Sequence, residues 1–263
     1  TFSPAMHNAA FRHLGLNAIY VAFAVKPSDL VDALRGVRAL NVRGLNVTIP
    51  HKEAIITLLD DVDTLAKNVG AVNTVTHEDG VLRGFNTDGA GALETLRENG
   101  VDPRNKRIVI LGAGGAAKAI ALTLAPMARE VTIANRTVEK AEALSQRLRT
   151  LYKRDVHYCG LNSKNVKTVL REAEILINTT SVGMYPNAGE TPIPHNFLHE
   201  NVTVFDIVYN PRETRLLREA RKVGAKTVGG LGMLVHQGVE AFELWTHMKP
   251  PVEVMKRVIE SMV

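Results

Sequence analysis

A buried apolar strand that runs straight into a glycine turn and then a helix admits few folds. Residues 108–117 of this chain, Ile-Val-Ile-Leu-Gly-Ala-Gly-Gly-Ala-Ala, read that way. The spacing Gly112, Gly114, Ala117 fits the pattern G-x-G-x-x-G/A. In that pattern the first glycine makes the tight turn, the second lets backbone approach a pyrophosphate, and the small third residue packs helix on strand. Amides at the helix start then face the phosphates. Glycine spacing alone is also met in a plain strand-to-helix turn. Here the strand before and the helix after are both present, and the units continue: strand 107–111, helix 116–124, strand 130–134, helix 138–151, strands 175–178 and 202–208, helix 212–223. That series predicts a doubly wound α/β domain with a parallel sheet that binds a dinucleotide.

The end of its second strand bears on which dinucleotide. NAD enzymes usually carry an acidic residue about 20 positions after the glycines, to accept from the ribose 2′-hydroxyl. This chain has Asn135-Arg136-Thr137 there. An arginine pairs with a 2′-phosphate, and Asn and Thr add neutral hydrogen bonds, so NADP is the expected cofactor. The bland alternative is an exposed arginine at a helix start with Thr137 as N-cap.

At 263 residues the chain is long enough for a second domain. The turn-rich Gly100-Val101-Asp102-Pro103 marks a boundary. The expected division is a first domain over residues 1–100, completed by 231–263, and the dinucleotide domain over 101–230. Before the boundary, helix 6–14, strand 18–23, helix 28–39 and strand 44–49 alternate, which argues for a parallel α/β arrangement. A hairpin follows around Glu78-Asp79-Gly80. Helices over 231–245 and 252–262 can pack back on the first domain.

Asn46-Val47-Thr48-Ile49-Pro50-His51-Lys52 reads as a strand turning into a helix with proline at its first position. Lys52 then falls in the first turn, against the positive end of the helix dipole, at a cost of a few tenths to about 1 kcal/mol. A carboxylate would offset it. Asp88 follows the strand-like residues 81–85 just before another helix, so both side chains are expected at strand-to-helix junctions, where α/β sheets place their ligands. A dehydrogenase acting on an alcohol or ketone needs an acid or base beside the reacting oxygen, which makes Lys52 a candidate. Taken singly, Asp88 reads as an N-cap and Lys52 as a solvated surface residue. Thr1 and Ser3 read either as hydrogen-bond donors to a ligand carboxylate or, for Ser3, as the cap of a helix beginning at Pro4. His7, His51 and His236 show no metal-ligand spacing, so no metal is expected.

Composition narrows the setting. Cys159 is the only cysteine, so no intrachain disulfide can form and a reducing, cytoplasmic location is the simpler reading. A net charge of +5 permits an anionic partner, but Lys and Arg are interspersed with Glu and Asp, which argues against nucleic acid. The weakly polar stretch 108–128 contains Gly112, Gly114, Lys118 and Pro126 and does not read as a membrane span. The abrupt start at Thr1-Phe2-Ser3-Pro4 leads one to expect an upstream segment.

Taken together, Ser3-Pro4-x-x-His7-Asn8-x-x-Phe11, Asn46-Val47-Thr48-x-Pro50-x-Lys52, Gly70-Ala71-Val72-Asn73-Thr74, Asn86-Thr87-Asp88, the glycine turn, Asn135-Arg136-Thr137 and Gly230-x-Gly232-Met233-x-x-x-Gln237 resemble the shikimate dehydrogenase family from end to end. The resemblance implies reduction of 3-dehydroshikimate to shikimate with NADPH, on the route to aromatic amino acids. It implies Lys52 and Asp88 as the catalytic pair. It places Thr1 and Ser3 at the substrate carboxylate and Thr48, Asn73, Asp88, Tyr209 and Gln237 at the ring hydroxyls. It puts Gly112, Ala113, Gly114, Gly115, Ala116, Asn135, Arg136, Thr137, Lys140, Thr179, Thr180, Ser181, Ile207, Gly230 and Met233 around NADP. The family usually has serine where this chain has Thr1, and a first strand ahead of that motif. Dimers are common in the family, although no heptad seam here demands one. Two other readings stand beside this one: a quinate/shikimate dehydrogenase, and a non-catalytic NADP-sensing module.

Overall fold

The computed structural model describes residues 1–162 and 165–262. In chain order the elements are α1 Ser3–His13, α2 Leu30–Ala39, β1 Gly44–Asn46, β2 Asp61–Val62, α3 Thr64–Val69, β3 Thr74–Glu78, β4 Val81–Phe85, α4 Asp88–Glu98, β5 Arg107–Leu111, α5 Gly115–Leu124, β6 Glu130–Asn135, α6 Val138–Tyr152, β7 Val156–Gly160, α7 Val166–Glu172, β8 Ile175–Asn178, β9 Thr203–Asp206, α8 Arg215–Lys222, β10 Lys226–Gly229, α9 Leu231–Thr246 and α10 Val252–Glu260. Short 3₁₀ turns occupy Pro27–Asp29, Ala54–Leu58 and His195–Phe197. The chain separates into two compact units, Thr1–Gly91 with Val235–Met262, and Ala92–Leu234.

The first unit is built on a four-stranded sheet in the order β1-β3-β4-β2. Only β2 and β4 run parallel; β1 with β3 and β3 with β4 are antiparallel, so the alternation of strands and helices misled as to direction here. The hairpin between β3 and β4 explains it. Asp79 and Gly80 take φ of 49° and 78°, the paired positive values of the two-residue turn whose twist matches antiparallel strands. One side of the unit is filled by Leu34, Val47, Ile55, Val72, Val75 and Leu82. Elsewhere α10 packs on α1, and α9 is tied to the sheet where Trp245 Nε1 donates to the Val75 carbonyl at 3.0 Å. Gly44 makes that contact possible, since a Cβ there would run into the Trp245 ring. The C-terminal helices thus return to the first unit, as the sequence leads one to expect.

Other local expectations fail for identifiable reasons. Residues 18–23 form no strand: the backbone of Tyr20 is satisfied by the Asn8 side chain, with Tyr20 N to Asn8 Oδ1 at 2.7 Å and Asn8 Nδ2 to Tyr20 O at 2.9 Å, instead of by a ladder. No helix begins at Pro50 either. Residues 50–53 are a turn after a cis Ile49–Pro50 bond, and the Lys52 carbonyl accepts from Val72 N at 2.8 Å, so it is not available to an α-helical ladder. Ser3 is the first residue of α1 and not its cap, and Asp88 is likewise the first residue of α4.

The second unit carries a six-stranded sheet, β10-β9-β8-β5-β6-β7, parallel at every pairing. This is the doubly wound order, with the direction of winding reversed between β5 and β8. Both faces of β5 are covered: Val109 and Leu111 pack with Leu176 and Val204 in one buried cluster, while Ile108 and Ile110 are buried as well. Strands β7 and β10 and helix α7 are additions that sequence periodicity did not mark.

His7 gives the first unit a testable property. It has no exposed surface, both ring nitrogens lack a hydrogen-bond partner, and its ring stacks on Tyr20 at 4.7 Å with Trp245 tilted 5.2 Å away. Burial lowers its pKa from 6.5 to about 4. A histidine held neutral in the fold but free to charge when unfolded contributes stability above its unfolded pKa and loses it as pH falls. A shift of that size corresponds to on the order of 3 kcal/mol. The urea midpoint of the native protein should therefore fall further between pH 7 and pH 4.5 than that of His7→Phe; parallel decline in the two proteins would show that His7 does not carry the effect.

Candidate functional site

In the first unit the central feature is an ion pair. Lys52 Nζ lies 2.7 Å from Asp88 Oδ2, with the lysine side chain 24% and the aspartate side chain 9% exposed. Two different segments bring them together. Lys52 is set by the turn before the 3₁₀ helix and by its carbonyl bond to Val72 N, and Asp88 opens α4. The predicted helix-dipole cost at Lys52 does not arise, because no α-helix starts there. The carboxylate partner that the argument asked for is nevertheless present.

Asp88 is itself held from several sides. Its backbone N donates to Asn86 Oδ1 at 3.1 Å, and Asn86 Nδ2 donates to the Ala71 carbonyl at 2.9 Å. Asn73 Nδ2 donates to the free carboxylate oxygen, Asp88 Oδ1, at 2.8 Å. Thr87 binds Asn73 through its backbone N at 2.9 Å, and its hydroxyl donates to the carbonyl of Gln237 at 3.0 Å, which joins the residue before α4 to α9. One carboxylate oxygen therefore faces the ammonium and the other an amide, which fixes the geometry of the pair.

Of the other residues predicted from sequence, Thr1 and Ser3 are brought together: Thr1 Oγ1 donates to Ser3 Oγ at 3.2 Å and Ser3 N donates back to Thr1 Oγ1 at 3.4 Å. Thr48 is exposed and its carbonyl accepts from His51 N. Gln237 lies on α9 in the first unit, while Tyr209 belongs to the second. Tyr20, Asn46, Thr74 and Thr87 surround the same network and carried no predicted role. Asn46, Thr74 and Thr87 stood inside quoted motifs, which was the available signal; Tyr20 had none.

In the second unit the glycine turn is built as the spacing predicts. Gly112 has φ of 113°, and a Cβ there would stand 2.5 Å from Thr179 Oγ1. Thr179 in turn closes the gap between β5 and β8, its N and Oγ1 both donating to the Leu111 carbonyl at 2.9 and 2.6 Å. Thr180 is fixed by Asn178, whose Oδ1 accepts from its N at 3.0 Å and its hydroxyl at 2.7 Å. Gly114 is exposed, and a Cβ there would meet nothing. Helix α5 starts behind it with no side-chain cap, so Gly115 and Ala116 present the open, positive helix start that a pyrophosphate needs. Across at the end of β6, Asn135 Nδ2 donates to the Thr137 carbonyl at 2.9 Å, and Arg136 and Lys140 are exposed cations. Thr137 caps α6 by position but makes no side-chain cap bond. Gly230 lies against the Ile207 carbonyl with no room for a Cβ, and Met233 is buried. The donor set fits a dinucleotide bearing an extra phosphate.

The same sheet end contains a buried carboxylate that sequence reading overlooked. Asp206, without exposed surface, accepts from Thr214 Oγ1 at 2.6 Å, Asn178 Nδ2 at 2.9 Å and Val208 N at 3.1 Å. It clamps the ends of β8 and β9 to the start of α8. Burial pushes its pKa up to about 6 against those donors. Among the described residues no group of three or more His, Cys, Asp or Glu could hold a metal ion, and no helix is long and apolar enough to cross a membrane.

Comparison with known proteins places this geometry in context. Residues 1–75 match the family model of the shikimate dehydrogenase substrate binding domain, 95–219 that of shikimate/quinate 5-dehydrogenase, and 230–260 that of the shikimate 5′-dehydrogenase C-terminal domain. The shikimate dehydrogenase (NADP(+)) of Methanopyrus kandleri is 51% identical over 262 residues, covering 98% of this chain and 90% of its own. Among solved structures, the Thermus thermophilus shikimate 5-dehydrogenase in complex with NADP(H) and shikimate has a TM-score of 0.91 at 38% identity, covering 100% of this chain and 95% of that one. The Listeria monocytogenes shikimate 5-dehydrogenase in complex with shikimate and NAD has a TM-score of 0.93 at 40% identity, covering 98% and 92%.

Asp206 supplies a check of this region that needs no ligand. Asp206→Ala would leave the Thr214 hydroxyl, the Asn178 amide and Val208 N buried without their acceptor, at an expected cost of about 2–4 kcal/mol. Urea unfolding at pH 7 measures it, and a loss below about 0.5 kcal/mol would mean that those donors find other partners.

Proposed function

The chain belongs to the shikimate dehydrogenase family, and on that premise we propose that it reduces 3-dehydroshikimate to shikimate with NADPH, reversibly, in the biosynthesis of aromatic amino acids. The observation that carries the proposal is the Lys52–Asp88 pair, drawn to 2.7 Å and held by Asn73 within a unit whose sequence matches a substrate-binding domain. A module that only sensed NADP would need the glycine turn but no such pair.

In this reading NADPH supplies the hydride to the carbonyl carbon of the substrate. The developing alkoxide needs a proton or a positive charge beside it, and Lys52 is the group placed to provide either. Asp88 holds the ammonium in position and accepts a hydrogen bond from the substrate, with Asn73 preventing the carboxylate from rotating away. Thr1 and Ser3 would take the substrate carboxylate, and Thr48, Asn73, Tyr209 and Gln237 the ring hydroxyls. We assign residues 1–100 with 231–263 to substrate and 101–230 to NADP.

The glycine turn from Gly112 to Ala116 would take the pyrophosphate, and Asn135, Arg136, Thr137 and Lys140 the 2′-phosphate. Thr179, Thr180, Ser181, Ile207, Gly230 and Met233 would line the nicotinamide end. The partners are the small-molecule substrate and NADP rather than nucleic acid or membrane; the location is cytoplasmic, and homodimers are common in the family. The second reading, a quinate/shikimate dehydrogenase, differs in substrate and often in cofactor, and Arg136 speaks against its NAD-using form.

Two measurements test this. NADPH oxidation should be rapid with 3-dehydroshikimate and slow with 3-dehydroquinate or with NADH; equal use of 3-dehydroquinate would move the protein to the second reading. Lys52→Ala should lower kcat by about a hundredfold or more with little change in KM, as expected when an interaction acts mainly in the transition state. An unchanged turnover number would remove Lys52 from the chemistry.

A further inference from the structure

Asn73 holds Asp88, but an asparagine side chain has two ends of nearly equal shape, and only one of them can donate to a carboxylate. Something must set which end faces Asp88. The acceptor-only carboxylate and the donor-only Thr87 N set it in the first place, and a chain of hydrogen bonds behind Asn73 supports the same choice. Tyr20 Oη donates to Asn46 Oδ1 at 2.9 Å and, together with the acceptor-only backbone carbonyl of Asn73 at 3.3 Å, holds the Asn46 amide nitrogen toward Thr74 Oγ1 at 3.2 Å. The Thr74 hydroxyl accepts from Asn46 and donates its one proton to Asn73 Oδ1 at 3.0 Å, a closer partner than Thr87 Oγ1 at 3.4 Å. That leaves Asn73 Nδ2 facing Asp88 Oδ1 at 2.8 Å and Thr87 Oγ1 at 3.0 Å.

We propose that Tyr20 is a positioning residue for the catalytic pair, acting on Asp88 through Asn46, Thr74 and Asn73; the proposal rests on the reading of Lys52 and Asp88 given above. Thr74 and Asn73 are almost wholly buried, so water does not readily substitute along the chain. A phenol suits its head because it must donate throughout the working pH range. Burial pushes the Tyr20 hydroxyl up to about 12, with a hydrogen bond involving the Ser3 side chain acting in the other direction, so the proton remains. The ring itself is anchored independently, stacked on His7 at 4.7 Å and tilted against Trp245 at 5.9 Å. Tyr20→Phe therefore removes the donor and leaves the packing. Thr87 N supports the same Asn73 orientation at 2.9 Å, which makes the expected loss severalfold and not complete.

The test is a double-mutant cycle in the full-length protein, with 3-dehydroshikimate and NADPH as substrates and melting temperature followed in parallel. Tyr20→Phe and Thr74→Val should each lower kcat about three- to tenfold while KM for both substrates stays within about twofold. The double variant should be little worse than the poorer single one, since both break one chain. Thr74→Ser, which keeps the hydroxyl, should restore most of the loss. Native kcat in Tyr20→Phe would overturn the proposal, as would a loss confined to the KM for 3-dehydroshikimate, which would place the effect at Ser3. Independent, multiplying losses in the double variant would overturn it too. If Lys52→Ala abolishes turnover while Tyr20→Phe does not alter it, the relay alone fails; if Lys52→Ala retains turnover, the underlying reading fails and the relay with it.

Discussion

The Lys52–Asp88 ion pair is the interaction around which the first unit is arranged. A pair whose carboxylate is buried does not hold itself together: taking the Asp88 charge out of water is costly, and attraction to the partly exposed Lys52 offsets that best when the remaining hydrogen-bond capacity is also met. The fold meets it from three directions. The Lys52 backbone is pinned to Val72, the start of α4 is pinned through Asn86 to Ala71, and the second carboxylate oxygen is taken by Asn73. The hairpin of β3 and β4 makes this possible, because it pairs Thr74 with Phe85 and so brings Asn73, just before β3, within reach of the Phe85 carbonyl, which accepts from Asn73 N at 3.0 Å. The polar cluster thus grows directly from the register of the sheet.

The second unit solves a different problem by the same means. A parallel sheet leaves the ends of its strands open at the point where the winding reverses, and those ends must be ordered without filling the space between them. Thr179 is bonded twice to the last carbonyl of β5, and Asp206 gathers Asn178, Val208 and Thr214. Both devices point their polar atoms sideways into protein. Gly112 is buried with no room for a Cβ because Thr179 occupies its place, while Gly114 stays exposed with open space around it.

These two units were unequally legible in the sequence. The dinucleotide unit announced itself because buried parallel strands are continuous apolar runs and its turn has fixed glycine spacing; residues 107–111 and 175–178 coincide with observed strands. The first unit was read less well. Its alternation of short strands and helices suggested parallel pairing, yet only the Asp79-Gly80 turn carried the true direction. Residues 18–23 have strand composition, but composition does not reveal that Asn8 will satisfy Tyr20. The helix dipole that would single out Lys52 and its carboxylate is absent, since residues 50–53 form a turn. Their pairing in the structure was still within reach, because both lie just beyond strand-like segments, which sequence does show. What it cannot show is the cross-chain wiring, since partners such as Tyr20 and Asn46 are 26 positions apart and ordinary in type.

That wiring bears on how tightly the site is specified. The distance between ammonium and carboxylate is set by backbone elements, and a small error there is tolerated by a flexible lysine. Orientation of the Asn73 amide is not tolerant in the same way: reversed, it would present an oxygen to a carboxylate and a nitrogen to Thr87 N, turning attractive contacts into repulsive ones in a region of low dielectric. The fixed inputs are Thr87 N, which can only donate, and the Asp88 carboxylate, which only accepts; the hydroxyls take up the direction these set and complete the network. Buried hydroxyl and amide side chains next to an ion pair therefore add little as separate contacts. Their contribution is to leave the pair a single arrangement, which a hydrophobic replacement of equal volume could stabilise but could not orient.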